Sequence, residues 1–71
     1  MTAKAIDAQT IGERLRALRG TRPQKEIGDA VGVTAMAISQ YERGERVPSD
    51  NIKIALAQYF NSTVDAIFFT F

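Results

Sequence analysis

Arg14, Arg16, Arg19, Arg22 and Lys25 fall within twelve residues, with Glu13 beside them, and Arg43 and Arg46 form a second small basic group. Guanidinium and ammonium groups concentrated in this way can make a phosphate-facing surface while the chain as a whole carries a formal net charge of only +1. The same charges also suit an ordinary solvated helix face. Near the second group stands Gln40, whose amide both donates and accepts. It can pair bidentately with N6 and N7 of adenine. Ala35 and Met36 have no strong donors, so they offer apolar contact, most naturally to a thymine methyl. Ser39 can reach a base or a phosphate. An exposed methionine equally suits packing on a partner chain.

Other chemistry is poorly supplied. There is no histidine and no cysteine. The commonest general base and metal ligand are therefore missing, as are disulfides and thiolate ligation. The eight acidic residues are scattered without calcium-loop spacing, so neither a metal nor a cofactor is expected. No nucleophile–base pair suggests a catalytic residue, and an enzyme is not expected. At 71 residues the chain has room for one small domain. An apolar content of 45% with 24% charged residues argues against disorder throughout. The first residues lack the apolar run of a signal peptide, and no apolar run approaches membrane-spanning length. A cytoplasmic protein with no membrane partner is the expectation.

The basic and polar side chains need helices to position them. Residues 1–9 read as a flexible N-terminal arm. Thr10 and Glu13 form a capping box that starts a helix reaching about Arg19, with Ile11, Leu15 and Leu18 on one face and Gly20 as the stop. A second helix begins near Pro23, capped by Arg22 or by Thr21, and carries Ile27 and Val31 inward to end at Gly32. Thr34 caps a third helix, over about residues 35–43, that turns Ile38 and Tyr41 or Glu42 inward. Its outward side is Ala35, Met36, Ser39 and Gln40, and Gly44 closes it. Ser49 or Asp50 caps a fourth, with Ile52, Leu56 and Tyr59 or Phe60 as its apolar face. Asn61 ends it in the left-handed region. Ser62 and Asp65 form a capping box for a short fifth helix holding Val64, Ile67 and Phe68. No period-two alternation appears. The expected fold is all-α: a compact five-helix domain over residues 10–69.

Two helices separated by Gly32-Val33-Thr34 have helix-turn-helix spacing. Gly32 permits the sharp turn, Val33 can plug the gap between the helices, and Gly28 leaves room for a close neighbour. An ordinary helical hairpin has the same spacing. The residues around the turn are more specific. Gln24, eight positions before Gly32, then Gly32-Val33-Thr34, Ile38 and Tyr41-Glu42-Arg43-Gly44 resemble the lambda-repressor-like (Cro/xenobiotic-response-element type) helix-turn-helix family. The resemblance covers about residues 9–68 and sets the helix-turn-helix at the second and third helices.

That resemblance implies sequence-specific binding of double-stranded DNA by a small transcriptional regulator, most simply a repressor. Gln24 and Thr34 match phosphate-contacting positions. Ala35, Met36 and Gln40 match base-contacting ones, to which Ser39 is added from its chemistry. Arg43 lies where the family meets the DNA backbone, and Arg22, Lys25 and Arg46 are expected to join it there. Arg19 and Glu42 match a structural ion pair. The chain departs from the family in its short connection at residues 20–23. It departs also in the apolar run Ala35-Met36-Ala37 at the reading head, and in Lys53 where an apolar residue is common. Ile52 and Ile54 are expected to share the packing at that last position. With few base-reading donors, part of the specificity is expected from DNA deformability.

Family members usually dimerise on two half-sites, so a homodimer on an inverted-repeat operator is expected. The apolar tail at residues 67–71 fits that role. Three phenylalanines are hard to bury in so small a domain, and Ile67, Phe68, Phe69 and Phe71 are the expected dimer contact. The competing reading is an antitoxin-like or antirepressor-controlled protein-interaction module with secondary DNA binding. Either reading leaves room for a regulatory protein partner.

Overall fold

The computed structural model describes residues 7–69. Helix α1, Ala8–Arg19, begins earlier than the Thr10–Glu13 spacing predicts. Its cap is Asp7, whose carboxylate accepts from the Thr10 backbone N–H at 3.2 Å and from the Thr10 hydroxyl at 3.0 Å. Asp7 and Thr10 have the same three-residue spacing as Thr10 and Glu13. A full negative charge at the positive end of a helix is the stronger of the two caps. Ala8 and Gln9 are therefore helical rather than part of an arm, while residues 1–6 of the expected arm lie outside the described residues. Ile11 and Leu15 are buried and Leu18 is half-buried, as the period predicts.

Helix α2, Gln24–Val31, is capped by Pro23, and neither Thr21 nor Arg22 serves. Pro23 holds an extended ψ of 146° and its carbonyl accepts from Glu26 at 3.1 Å. A proline needs no N–H at that position. Gly32 ends the helix at φ 88°, a left-handed value that a side chain adopts only at a cost. Its N–H and that of Val33 both donate to the Gly28 carbonyl, at 2.8 and 2.9 Å. Helix α3, Ala35–Glu42, follows at once, with the Thr34 hydroxyl accepting from the Ala37 N–H at 3.0 Å. A Schellman closure ends it: Glu45 donates to the Gln40 carbonyl at 2.9 Å and Gly44 to that of Tyr41 at 3.2 Å.

Helix α4, Asp50–Tyr59, has Ser49 as its cap residue, and Asn61 stands beyond it at φ 55°. Its inward face differs from expectation. Lys53 is buried with Leu56 and Ala57, while Ile54 is 48% exposed. Ile52 alone of the two isoleucines packs on the core. The last element is a single π-helical turn, Asp65–Phe69. Its cap is Thr63 rather than Ser62, since the Thr63 hydroxyl accepts from the Ala66 N–H at 3.0 Å.

Among the described residues five helical segments enclose one core, with Phe68, Ile11, Ile27, Leu56 and Ile67 its largest fully buried side chains. Helices α1 and α2 both pack on α3, and α4 packs on α2. The crossing of α1 and α3 is unusually close. A Cβ on Gly12 would stand 2.4 Å from the Glu42 carbonyl oxygen and 2.6 Å from that of Tyr41. Gly28 is similarly confined, but by the Val33 carbonyl in the turn, 2.6 Å from a built Cβ, rather than by a neighbouring helix.

Candidate nucleic-acid interface

The outward face of α3 follows from its pattern. Ala37, Ile38 and Tyr41 are buried, which leaves Ala35, Met36, Ser39 and Gln40 on the other side of the helix. Burial of Ala37 corrects the expectation that it belongs to the reading head. The apolar part of the head is Ala35, half-buried, and Met36, 63% exposed. The Gln40 amide makes no hydrogen bond to the described residues, so both its donor and its acceptor remain available. Thr34 is exposed at the N-terminal end of α3, with its hydroxyl already engaged in capping.

A three-way polar cluster fixes the position of α3. Glu42, whose side chain is 5% exposed, accepts from Arg19 Nε at 2.6 Å and from Arg19 Nη2 at 3.1 Å. It also accepts from Gln24 Nε2 at 3.1 Å. The hydrogen bond to Glu42 raises the Arg19 pKa above its ordinary value, against the opposing effect of desolvation. Arg19 Nη1 donates in turn to the Arg22 carbonyl at 2.7 Å. The expected Arg19–Glu42 pair is thus present, and Gln24 is joined to it. The start of α2, the end of α1 and the end of α3 meet at one carboxylate. Bidentate geometry of this kind is the strong form of such a contact.

The basic residues divide into two sets. Arg43 is half-exposed and forked onto Glu45, at 2.9 and 3.0 Å, with a further short hydrogen bond to the Ser39 hydroxyl. Hydrogen bonding to Arg43 lowers the Glu45 pKa, and the reciprocal bond raises that of Arg43. Arg46 is exposed, its guanidinium 5.8 Å from the centre of the Tyr41 ring. Lys25 is exposed and paired with Asp29 at 2.7 Å, which raises its pKa through that hydrogen bond. All three stand on the surface, and the Arg43–Glu45 and Lys25–Asp29 pairs are weak enough to exchange for phosphate.

Arg22 is placed otherwise. Its Nη2 donates to the Leu18 carbonyl at 2.8 Å and its Nε to that of Arg19 at 3.2 Å, so it closes the end of α1. It also lies 5.3 Å from the centres of both the Tyr59 and Phe60 rings. The expected phosphate donor is thus occupied in joining α1 to α4. A basic residue just past a helix C-terminus carries the signal for this role.

The expected dimer contact is also redistributed. Ile67 is 2% exposed and Phe68 is fully buried, so both belong to the core and neither is available to a partner. The aromatic ring of Phe68 is needed to close a core this small. Phe69 is 45% exposed, and Phe71 lies outside the described residues. Ile54, expected to share the inner packing of α4, joins Phe69 on the surface. Gly12 and Glu45 were not singled out from the sequence. A glycine within a helix, one position from a buried Ile11, was the available signal for the first.

Residues 13–67 match the model of the helix-turn-helix family. The chain is 37% identical over 62 residues to repressor protein C2 of Salmonella phage P22, an alignment covering 84% of this chain but 29% of that repressor. It therefore spans less than a third of that relative's length. The crystal structure of the P22 c2 repressor protein with a synthetic operator superposes with a TM-score of 0.80 at 38% identity, covering 83% of this chain and 92% of that one. The restriction-modification controller protein C.AhdI from Aeromonas hydrophila superposes with a TM-score of 0.78 at 26% identity, covering 87% and 93%.

Proposed function

The chain belongs to the helix-turn-helix family, a family of DNA-binding domains rather than enzymes, and from that membership we propose that it represses transcription by occupying an operator. Helix α3 enters the major groove. Gln40 reads a base edge by hydrogen bonding, Met36 and Ala35 contact methyl groups, and Ser39 supplements them. Gln24 at the start of α2 and Thr34 at the start of α3, with Arg43, Arg46 and Lys25, hold the phosphates. The observation that carries this reading is the outward face of α3. It is free of partners at Gln40 and held in place from behind by the Arg19–Glu42–Gln24 cluster.

One module of this size buries only about 600 to 1,000 Å² on DNA, so a homodimer on an inverted repeat goes with the reading. Its half-sites lie about one helical turn apart, roughly 34 Å. A cytoplasmic location goes with it too, and no described helix is long and apolar enough to cross a membrane. Selection from a random duplex pool tests the proposal. Enrichment of an inverted repeat is expected, and no enrichment even at low salt rejects it. Exposed Met36 favours a second reading, a protein-interaction module with secondary DNA binding. Burial of Ala37 shrinks the apolar head on which that reading depends.

A further inference from the structure

Glu45 is an acid just past the end of the helix that is read as entering DNA, and charge repulsion alone would set it against binding. Its geometry gives it a use. Gly44, at φ 73°, turns the chain beyond α3, and the Glu45 backbone N–H donates to the Gln40 carbonyl at 2.9 Å. The residue is thereby fixed to the last turn of that helix. Its carboxylate accepts from Arg43 Nε at 2.9 Å and from Arg43 Nη2 at 3.0 Å. The Ser39 hydroxyl, on the outward face one turn earlier, accepts from Arg43 Nη1. A guanidinium carries five N–H donors in one rigid plane. Two go to Glu45 and one to Ser39, which leaves one on Nη1 and one on Nη2. No described residue accepts from those two. Arg43 is half-exposed, so an incoming group can reach them.

We propose that Glu45 is a positioning residue for DNA binding: with Ser39 it clamps the Arg43 guanidinium, so that the two remaining N–H groups take the oxygens of one phosphate. The proposal rests on the reading of α3 as the groove-entering helix and deepens it. An arginine side chain is long and loses rotamer freedom when it is held. A clamp within the free protein means that less of this freedom is lost on binding. The fork onto Glu45 sets the plane of the guanidinium as well as its place. The Arg43–Glu45 pair is weak enough to open, but opening it would leave an unpaired carboxylate beside a phosphate. A guanidinium that bridges the two anions keeps both compensated. Glu45 is therefore a support for Arg43 and not a rival to the phosphate.

The test separates support from rivalry by keeping the charge. Glu45→Asp leaves the repulsion from DNA in place but is one methylene too short for the fork. Its affinity is measured on the enriched duplex and on an arbitrary one, with thermal melts as a check on folding. A loss of roughly two- to tenfold for each copy bound is expected, equal on both duplexes because a phosphate carries no sequence information. Glu45→Gln removes the charge, so it is measured in the wild-type and Arg43→Ala backgrounds to form a double-mutant cycle. Its gain in affinity is expected to be smaller in the wild-type background, where the clamp is lost together with the repulsion. Tighter binding by Glu45→Asp, or a larger gain for Glu45→Gln in the wild-type background, would make Glu45 a competitor and overturn the proposal. Unchanged affinity for Glu45→Asp with additive effects in the cycle overturns it as well, while the DNA reading stands. If wild type binds no duplex even at low salt, the reading on which the proposal rests falls with it.

Discussion

Gln40 and Arg43 lie one turn apart on the same end of α3, yet the function proposed above gives them different tasks. An amide without an internal partner distinguishes bases, whereas a guanidinium on the surface recognises any phosphate. Gln40→Ala is expected to relax preference at one base position, at about 1–3 kcal/mol of discrimination. Arg43→Ala should weaken all sequences about equally and make the dependence of log affinity on log salt shallower by about one. Binding titrations over a duplex panel and a salt series check both, and equal loss of preference in the two variants would contradict the division. Glu42 joins Arg19 and Gln24 behind α3, so in the proposed function it acts on DNA only through them. Replacing it with alanine leaves a largely buried guanidinium without its partner, which is expected to destabilise the fold by on the order of 3 kcal/mol. Urea unfolding measures this, and an effect below 1 kcal/mol would remove the cluster as the anchor of α3.

The helices are placed by two glycines that act in different ways. Gly32 is needed for its φ of 88°, with open space around a built Cβ, so Gly32→Ala is expected to cost about 1–2 kcal/mol of strain. Gly12 has an ordinary helical backbone and no room. Gly12→Ala forces a methyl against two carbonyl oxygens of α3, and its cost should reach or exceed the top of the roughly 1–3 kcal/mol usual for overpacking. It should also disturb the reading head, because α1 sits on the end of α3. Operator affinity measured below the melting range should therefore fall for Gly12→Ala more than for Gly32→Ala. Thr34→Ala removes the α3 cap at about 1 kcal/mol, which lowers the melting temperature of a domain this size by roughly 4–8 °C.

Across the whole molecule, charge changes little near neutral pH. With no histidine or cysteine, no side chain of ordinary pKa titrates between about pH 6 and 8. The shifted groups move further from that window. Glu45 has a lowered pKa, so its pairing with Arg43 contributes above the ordinary carboxylate range and is lost only as pH falls through the depressed value. Lys25 has a raised pKa, so its pairing contributes below the ordinary lysine range and is lost as pH rises through the raised value. Stability and operator affinity are both expected to be flat from pH 6 to about 7.5, by thermal melts and fluorescence anisotropy. A change of tenfold in affinity across that interval would mean a titrating group that these pairs do not account for.

The sequence by itself determined the order of the helices, the turn at Gly32-Val33-Thr34 and the Thr34 cap. Each of these rests on local spacing or on short-range backbone chemistry, which a linear pattern records, whereas the Arg19–Glu42 pair spans 23 positions and was implied only by the family resemblance. The cap of α1 was misplaced by three residues, because Asp7–Thr10 and Thr10–Glu13 have equal spacing and only the folded chain shows which forms. Tertiary structure alone decided which apolar side chains are surplus. Composition shows that three phenylalanines crowd the end of the chain, but only packing buries Phe68, exposes Phe69 and exchanges Ile54 for Lys53 on the inner side of α4. That choice depends on how closely the helices approach, and the approach of α1 to α3 is set by the absence of a single Cβ at Gly12. Long-range sterics of this kind leave no periodic trace in a sequence, which is why the outward face of α3 was legible in it and the inner face of α4 was not.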